Sequence, residues 1–170
     1  MSSTPPSLTL VLGGARSGKS RHAESLIARL PPPWTYIATA QAWDDEMRER
    51  IAIHQVRRDQ RWHTVEEPIE LPRVLAGAEG PVLVDCLTLW LTNLILGGHD
   101  LPGAFAALEA ALTAERGPVV LVSNEVGLGI VPDNALARAF RDEQGRLNQR
   151  MAALAGHAVF MAAGLPMVLK

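Results

Sequence analysis

Three groups of residues in this chain have types and spacings that suit chemistry. In GGARSGKS, residues 13 to 20, Gly13, Gly18, Lys19 and Ser20 complete the GxxxxGK[ST] pattern directly after the apolar run from Leu8 to Leu12. The glycines let backbone N–H groups turn toward phosphate oxygens, a following helix start adds positive potential, and Lys19 supplies a full charge for β and γ phosphates. Ser20 is then the expected Mg2+ ligand. Gly14, Ala15, Arg16 and Ser17 fill the variable positions, and Arg16 is either a further phosphate contact or a solvated loop residue. The second group is Asp85, which ends the run Pro81, Val82, Leu83, Val84. At the C-terminal edge of a buried strand it would reach a metal held by Ser20. The alternative is a helix cap for the segment that starts near Thr88.

The third group lies in DDEMRERIAIHQVRRDQR, residues 44 to 61, where Arg50 and Arg58 stand four residues either side of His54. A helix puts all three along one face. A neutral histidine there would act as a general base or attack phosphorus directly, while the arginines hold a triphosphate. An ordinary polar face on a surface helix has the same spacing, and spacing alone favours that reading. The other histidines offer less: His22 is expected to be exposed, and His63, His99 and His157 lack partners at metal-ligand spacing, so no zinc site is supported. Cys86 reads as a small buried side chain rather than a nucleophile. Asn-Lys-x-Asp, the guanine-selective signature of switch GTPases, is absent.

These groups need elements to carry them. Branched runs at Leu8 to Leu12, Thr35 to Ala38, Val82 to Cys86, Val119 to Ser123 and Ala158 to Ala162 read as buried strands. Helical segments lie between them: Lys19 to Leu30, stopped by three prolines; Asp44 to Arg61; Ala104 to Glu115; and Asn134 to Leu154, weakened by Gly145. Strands alternating with helices predict an α/β, P-loop NTPase-like, RecA-like fold with a mostly parallel sheet covered on both faces.

With 170 residues and no linker or repeat, residues 1–170 read as a single catalytic domain, with a flexible tip over residues 1–7. Sixteen Lys and Arg against 18 Asp and Glu, a net charge of −2, offer no global attraction to nucleic acid or an anionic membrane. The start, MSSTPPS, lacks the basic end and apolar stretch of a secretory signal, and the single cysteine agrees with a reducing, cytoplasmic setting. Met151 to Leu169 is broken by Gly156, His157, Gly164 and Pro166, which makes it poor material for a membrane span.

Taken together, several blocks resemble one family. GGARSGKSRHAE at 13 to 24, YIAT at 36 to 39, DDEMRERIAIHQ at 44 to 55, the VDCLTLWLTNL block, SNEVGLGIVPDN at 123 to 134 and FRDEQGRLNQRMA at 140 to 152 are similar to the bifunctional adenosylcobinamide kinase/adenosylcobinamide-phosphate guanylyltransferases. The blocks keep the family's order over nearly the whole chain. The resemblance implies phosphorylation of the aminopropanol hydroxyl of adenosylcobinamide by ATP or GTP. GMP transfer from GTP to adenosylcobinamide phosphate would follow, through a GMP-histidine, releasing pyrophosphate. The matching histidine is His54, which reverses the preference that spacing gave. Its neighbour here is Ile53, where relatives carry a second histidine.

The resemblance also implies nucleotide contacts from the loop residues Gly13 to Ser20, from Ile37, Ala38 and Thr39, from Gln55, Val56, Arg57 and Arg58, and from Glu66 and Asp85. Glu66 is either an acceptor for the guanine edge or a solvated acid. Gly127 and Gly129 favour a turn that is either near a substrate or purely structural. The family's homotrimeric habit is expected, with Trp43, Trp62 or Trp90 in an interface or in the core. Two other readings remain at this point: a small-molecule kinase with no covalent role for His54, and a nucleotide-dependent binding or assembly module.

Overall fold

The computed structural model describes residues 7–41, 45, 48–49, 52, 58–114 and 117–170. In chain order these form β1 (Leu8–Gly13), α1 (Lys19–Ile27), β2 (Trp34–Ala38), β3 (Trp62–Glu66), α2 (Leu71–Gly77), β4 (Val82–Asp85), α3 (Leu87–Leu96), α4 (Leu101–Thr113), β5 (Val119–Asn124), α5 (Ala135–Leu154), β6 (His157–Ala162) and β7 (Leu165–Val168). Among the described residues the strands make a seven-stranded sheet in the order β3-β2-β4-β5-β1-β6-β7. Every pairing is parallel except the β6–β7 hairpin.

The strands that read as continuous apolar runs are central and buried on both faces, as a parallel sheet requires. Their side chains alternate between two cores. Leu8, Leu10 and Leu12 of β1, Val82 and Val84 of β4, and Val119 and Leu121 of β5 meet α2, α3, α4 and α5 on one face. Val11, Leu83, Val120 and Val122 point the other way, with Tyr36, toward Ala23 and Ile27 of α1. Leu83 and Asp85, two apart on β4, share the α1 side.

Differences from the sequence expectation have local causes. The edge strand β3 is half-exposed and shows no apolar run. The outer strand β7 is exposed throughout and carries Pro166, which an edge strand tolerates. The nearly all-apolar LTLWLTNLIL of α3 has no helical stripe to read. Helix α4 begins three residues earlier than expected, because Pro102 fits a first turn, and α5 runs unbroken through Gly145. Asn134 caps α5 by accepting the Ala137 N–H at 2.8 Å. Asp45, Arg48, Glu49 and Ala52 are helical, whereas Arg58 and Asp59 are not, so the helix expected over 44 to 61 does not reach Arg58. No helix of the described residues is long and apolar enough to cross a membrane.

Candidate active site

At the end of β1 the chain turns into the phosphate loop under tight steric control. A Cβ on Gly13 would stand 2.7 Å from the Met161 carbonyl oxygen of β6, so any side chain there must displace a neighbouring strand. Gly18, the N-cap of α1, has φ +93°, a left-handed conformation that glycine adopts without steric penalty. Lys19 therefore starts α1 buried, with Nζ donating to Gly14 O at 2.5 Å and lying 3.5 Å from Ser17 Oγ. Burial lowers its pKa, against the opposing charges of Cys86 and Asp85. Arg16 stands exposed on the crest with φ +54°, and Ser20 is half-buried in the first turn.

Two further strands brace this loop. The Glu125 N–H beyond β5 donates to Gly13 O at 3.1 Å, and the Gly164 N–H donates to Ser17 O at 3.0 Å. Ala163 (φ +52°) and Gly164 (φ +80°) form the two-residue turn between β6 and β7, with the paired left-handed angles of a type I′ hairpin.

Asp85 ends β4 beside Ala38 of β2 and Val122 of β5. Its Oδ2 accepts the Tyr36 hydroxyl hydrogen at 3.0 Å. The N-cap of α3 is Cys86, which makes no side-chain cap bond, so Asp85 is not the helix cap that was its alternative reading. Behind it the corner is closely tied. Thr39 Oγ1 donates to Cys86 O at 2.6 Å and accepts the Cys86 N–H at 2.9 Å. Buried Asn93 of α3 donates through Nδ2 to Thr39 O at 2.9 Å and to Pro68 O at 3.1 Å. Burial, then the Asp85 charge, push the Cys86 thiol up to about 12, which removes it as a nucleophile near neutral pH.

Arg58 reaches the same corner. Its guanidinium lies 3.7 Å from the Tyr36 ring centroid, and its Nε and Nη1 are buried without a hydrogen-bond partner. Trp62 meets the Tyr36 ring edge-on at 6.0 Å, and Trp34 lies 5.1 Å from Trp62. Burial foremost, with Asp85 next, pushes the Tyr36 phenol above its ordinary range, so it stays a proton donor.

The structure thus gathers Lys19, Asp85 and Arg58 on the α1 side of the sheet, with Thr39 behind them. Ala38 and Glu66 lie side by side at the ends of β2 and β3. Ile37 is fully buried in the opposite core, which leaves only its backbone for a ligand. His54, Gln55, Val56 and Arg57, together with Arg50 and Trp43, lie outside the described residues. Trp90 is a core residue whose Nε1 donates to Ile69 O at 2.8 Å, and His22 is half-buried rather than exposed.

Sequence reasoning passed over several members of the site. Tyr36 lay in a quoted block but carried no acid or base signal of its own. Ser123, Gln144 and Asn148 form a buried network: Ser123 Oγ donates to Asn148 Oδ1 at 2.6 Å, and Gln144 Nε2 donates to Ser123 Oγ at 2.9 Å. Asn148 Nδ2 then donates to Asn124 O at 2.9 Å, tying α5 to the edge of β5 beside the loop. A 3.6-residue period links Gln144 and Asn148 on one face, but polar residues on a helix read as solvent-facing. Gly127 and Gly129 belong to the following turn, where Arg141 donates to the Gly127 carbonyl at 2.5 Å.

Ser20 and Asp85 offer a hydroxyl and a carboxylate, hard oxygen donors suited to Mg2+. No group of three or more His, Cys, Asp or Glu that would hold a metal occurs among the described residues.

A phosphate loop, a strand-end aspartate and a mostly parallel sheet covered on both faces define a P-loop nucleotide-binding protein of RecA-like architecture. A solved ATPase from the type III secretion system of pathogenic bacteria shares the fold, with a TM-score of 0.52 at 13% identity, over 91% of this chain and 50% of that one. Residues 9–169 match the family described as cobinamide kinase / cobinamide phosphate guanyltransferase, and the chain belongs to that family. The bifunctional adenosylcobalamin biosynthesis protein CobP of Pseudomonas aeruginosa is 51% identical over 166 residues, 95% of this chain and 96% of the relative. CobU of Salmonella typhimurium, described in the same words, is 45% identical over 181 residues, 96% and 99% of the two chains.

Proposed function

We propose that this chain catalyses both reactions of its family at the site built around Lys19, Asp85, Arg58 and His54. In the first, the aminopropanol hydroxyl of adenosylcobinamide attacks the γ-phosphorus of ATP or GTP; the Pγ–O bond to the nucleoside diphosphate breaks and the hydroxyl proton leaves. In the second, a neutral His54 ring nitrogen attacks the α-phosphorus of GTP. The N–P bond forms as the bond to the bridging oxygen breaks, and pyrophosphate departs. A phosphate oxygen of adenosylcobinamide phosphate then displaces the histidine, giving adenosylcobinamide-GDP.

The observation that carries this reading is the position of Arg58. It follows His54 by four residues, at most about 14 Å of extended chain, and its guanidinium lies 3.7 Å from the ring of Tyr36, whose hydroxyl donates to Asp85, with two buried donors unpaired. Unpaired N–H donors of a guanidinium suit phosphate oxygens. Lys19 and the N-terminus of α1 stabilise charge that develops on the departing phosphates. Mg2+, held by Ser20 and Asp85, would neutralise phosphate charge when bound. Gly13 to Ser20, Ile37 to Thr39, Gln55 to Arg58 and Glu66 complete the nucleotide contacts of this reading, in which the chain is cytoplasmic and homotrimeric.

The test is incubation with GTP labelled at the α- or the γ-phosphorus, without acceptor, for wild type and His54→Ala. Acid-labile, alkali-stable label from the α-position alone, lost in the variant, is the expected result. Absence of bound label, or equal labelling of the variant, overturns the role of His54 and leaves a simple kinase.

A further inference from the structure

We infer that Tyr36 is a positioning residue that orients the Asp85 carboxylate and the Arg58 guanidinium as one unit. The inference rests on the reading of Asp85 as a metal ligand and of Arg58 as a phosphate ligand. Tyr36 is 4% exposed and sits on β2 in register with Leu83, so its side chain reaches diagonally to Asp85, two residues further along β4. A phenol has one hydrogen to donate, and here it goes to Asp85 Oδ2 at 3.0 Å. That bond fixes the rotation of the carboxylate and leaves Oδ1 as the oxygen for a cation.

The face of the same ring carries Arg58 at 3.7 Å. A guanidinium stacked on an aromatic face keeps its N–H bonds in its own plane, directed past the ring edge rather than into it. Nε and Nη1 of Arg58 are buried with no partner, so the stack holds two donors ready for an anion at a cost in desolvation. Trp62, packed edge-on at 6.0 Å, limits how far the Tyr36 ring can tilt. One side chain therefore sets both a carboxylate oxygen and a cationic donor group by its hydroxyl and its face.

Tyr36→Phe removes the first function and keeps the second; Tyr36→Leu removes both; Arg58→Ala removes only the phosphate donors. The full-length chain with a non-hydrolysable GTP analogue is titrated with Mn2+, and free Mn2+ is read by electron paramagnetic resonance. Binding of the analogue without metal is read by calorimetry. Tyr36→Phe is expected to raise the half-saturating Mn2+ concentration about tenfold, the usual loss for a group that orients a metal-ligating side chain, with metal-free analogue binding unchanged. Tyr36→Leu and Arg58→Ala are both expected to weaken metal-free binding. Tyr36→Phe keeps the ring and its packing, so it decides the orientation of the carboxylate even where Tyr36→Leu does not fold. Mn2+ binding that Asp85→Asn abolishes but Tyr36→Phe leaves at the wild-type midpoint overturns the positioning role alone. A wild-type chain that binds no Mn2+ with the analogue overturns it together with the metal reading beneath it.

Discussion

The two halves of the site are held in place by different means. Lys19 Nζ is tied to oxygens of its own loop, five and two residues away in the chain. Asp85 is tied to Tyr36 across 49 residues, Cys86 to Thr39 across 47, and Asn93 to Thr39 across 54. A loop whose donors and acceptors are sequence neighbours needs the sheet as an anchor and little else. A corner drawn from β2, β4 and α3 exists only when the sheet is assembled. The phosphate side should therefore lose chemistry without losing the fold, while the carboxylate side should lose both together.

The largest expected effect follows at Lys19. Lys19→Met is expected to lower the rate of phosphoryl and guanylyl transfer about 10³-fold, near 4 kcal/mol of transition-state stabilisation, measured with saturating GTP. Stability is expected to hold. Burial depresses the folded pKa of Lys19, so the unfolded chain binds this proton more tightly and the ammonium opposes folding at neutral pH. The Lys19 contribution should consequently add to stability as pH is taken up toward the ordinary lysine value of 10.5, against the loss from Cys86 and Tyr36, whose folded pKa values are raised. The Met variant, unfolded in urea over the same range, should lack that component. A variant much less stable than wild type at pH 7 would mean that the loop depends on Lys19 for its structure.

A paired comparison gives the next effect. Thr39→Val keeps the shape of a fully buried side chain and removes the acceptor of the Cys86 N–H, leaving that donor buried and unpaired. A cost of about 1 to 3 kcal/mol is expected. Ser17→Ala removes only the 3.5 Å contact to Lys19 from the self-contained half, and should cost under about 0.5 kcal/mol. Equal shifts in urea midpoint at unchanged slope would erase the distinction between the halves.

The same contrast explains what was legible in the sequence. Gly13, Gly18, Lys19 and Ser20 are read together because their function depends on spacing along one stretch of chain. The central strands were legible because burial on both faces leaves an unbroken apolar run, and Asp85 was legible as the acid that ends one. Tyr36, Asn93 and Thr39 acquire their partners from pairing register and from helix α3, neither of which a local pattern encodes. The Gln144 and Asn148 amides are buried by α5 against Ser123, a placement that contradicts their polarity and is visible only in three dimensions. The edge strands β3 and β7 escaped because exposure removes the hydrophobic signal. His54 stood out by chemistry, but only the family resemblance separated it from a polar helix face.

The smallest expected effect probes whether the phosphate loop is as self-contained as its internal bonds imply. Ala163 holds φ +52° in the turn whose next residue donates to Ser17 O at 3.0 Å. A left-handed alanine costs about 1 to 2 kcal/mol, whereas glycine adds about 0.5 to 1 kcal/mol of unfolded-state entropy. Ala163→Gly should therefore gain about 0.5 kcal/mol, a rise of roughly 1 to 2 °C in Tm for a chain of this length. The KM for GTP should stay at the wild-type value, because the Gly164 N–H and its acceptor are both retained. A changed KM with an unchanged Tm would mean that the hairpin tunes the loop's conformation rather than merely bracing it. The phosphate half would then be as dependent on distant strands as the Asp85 corner.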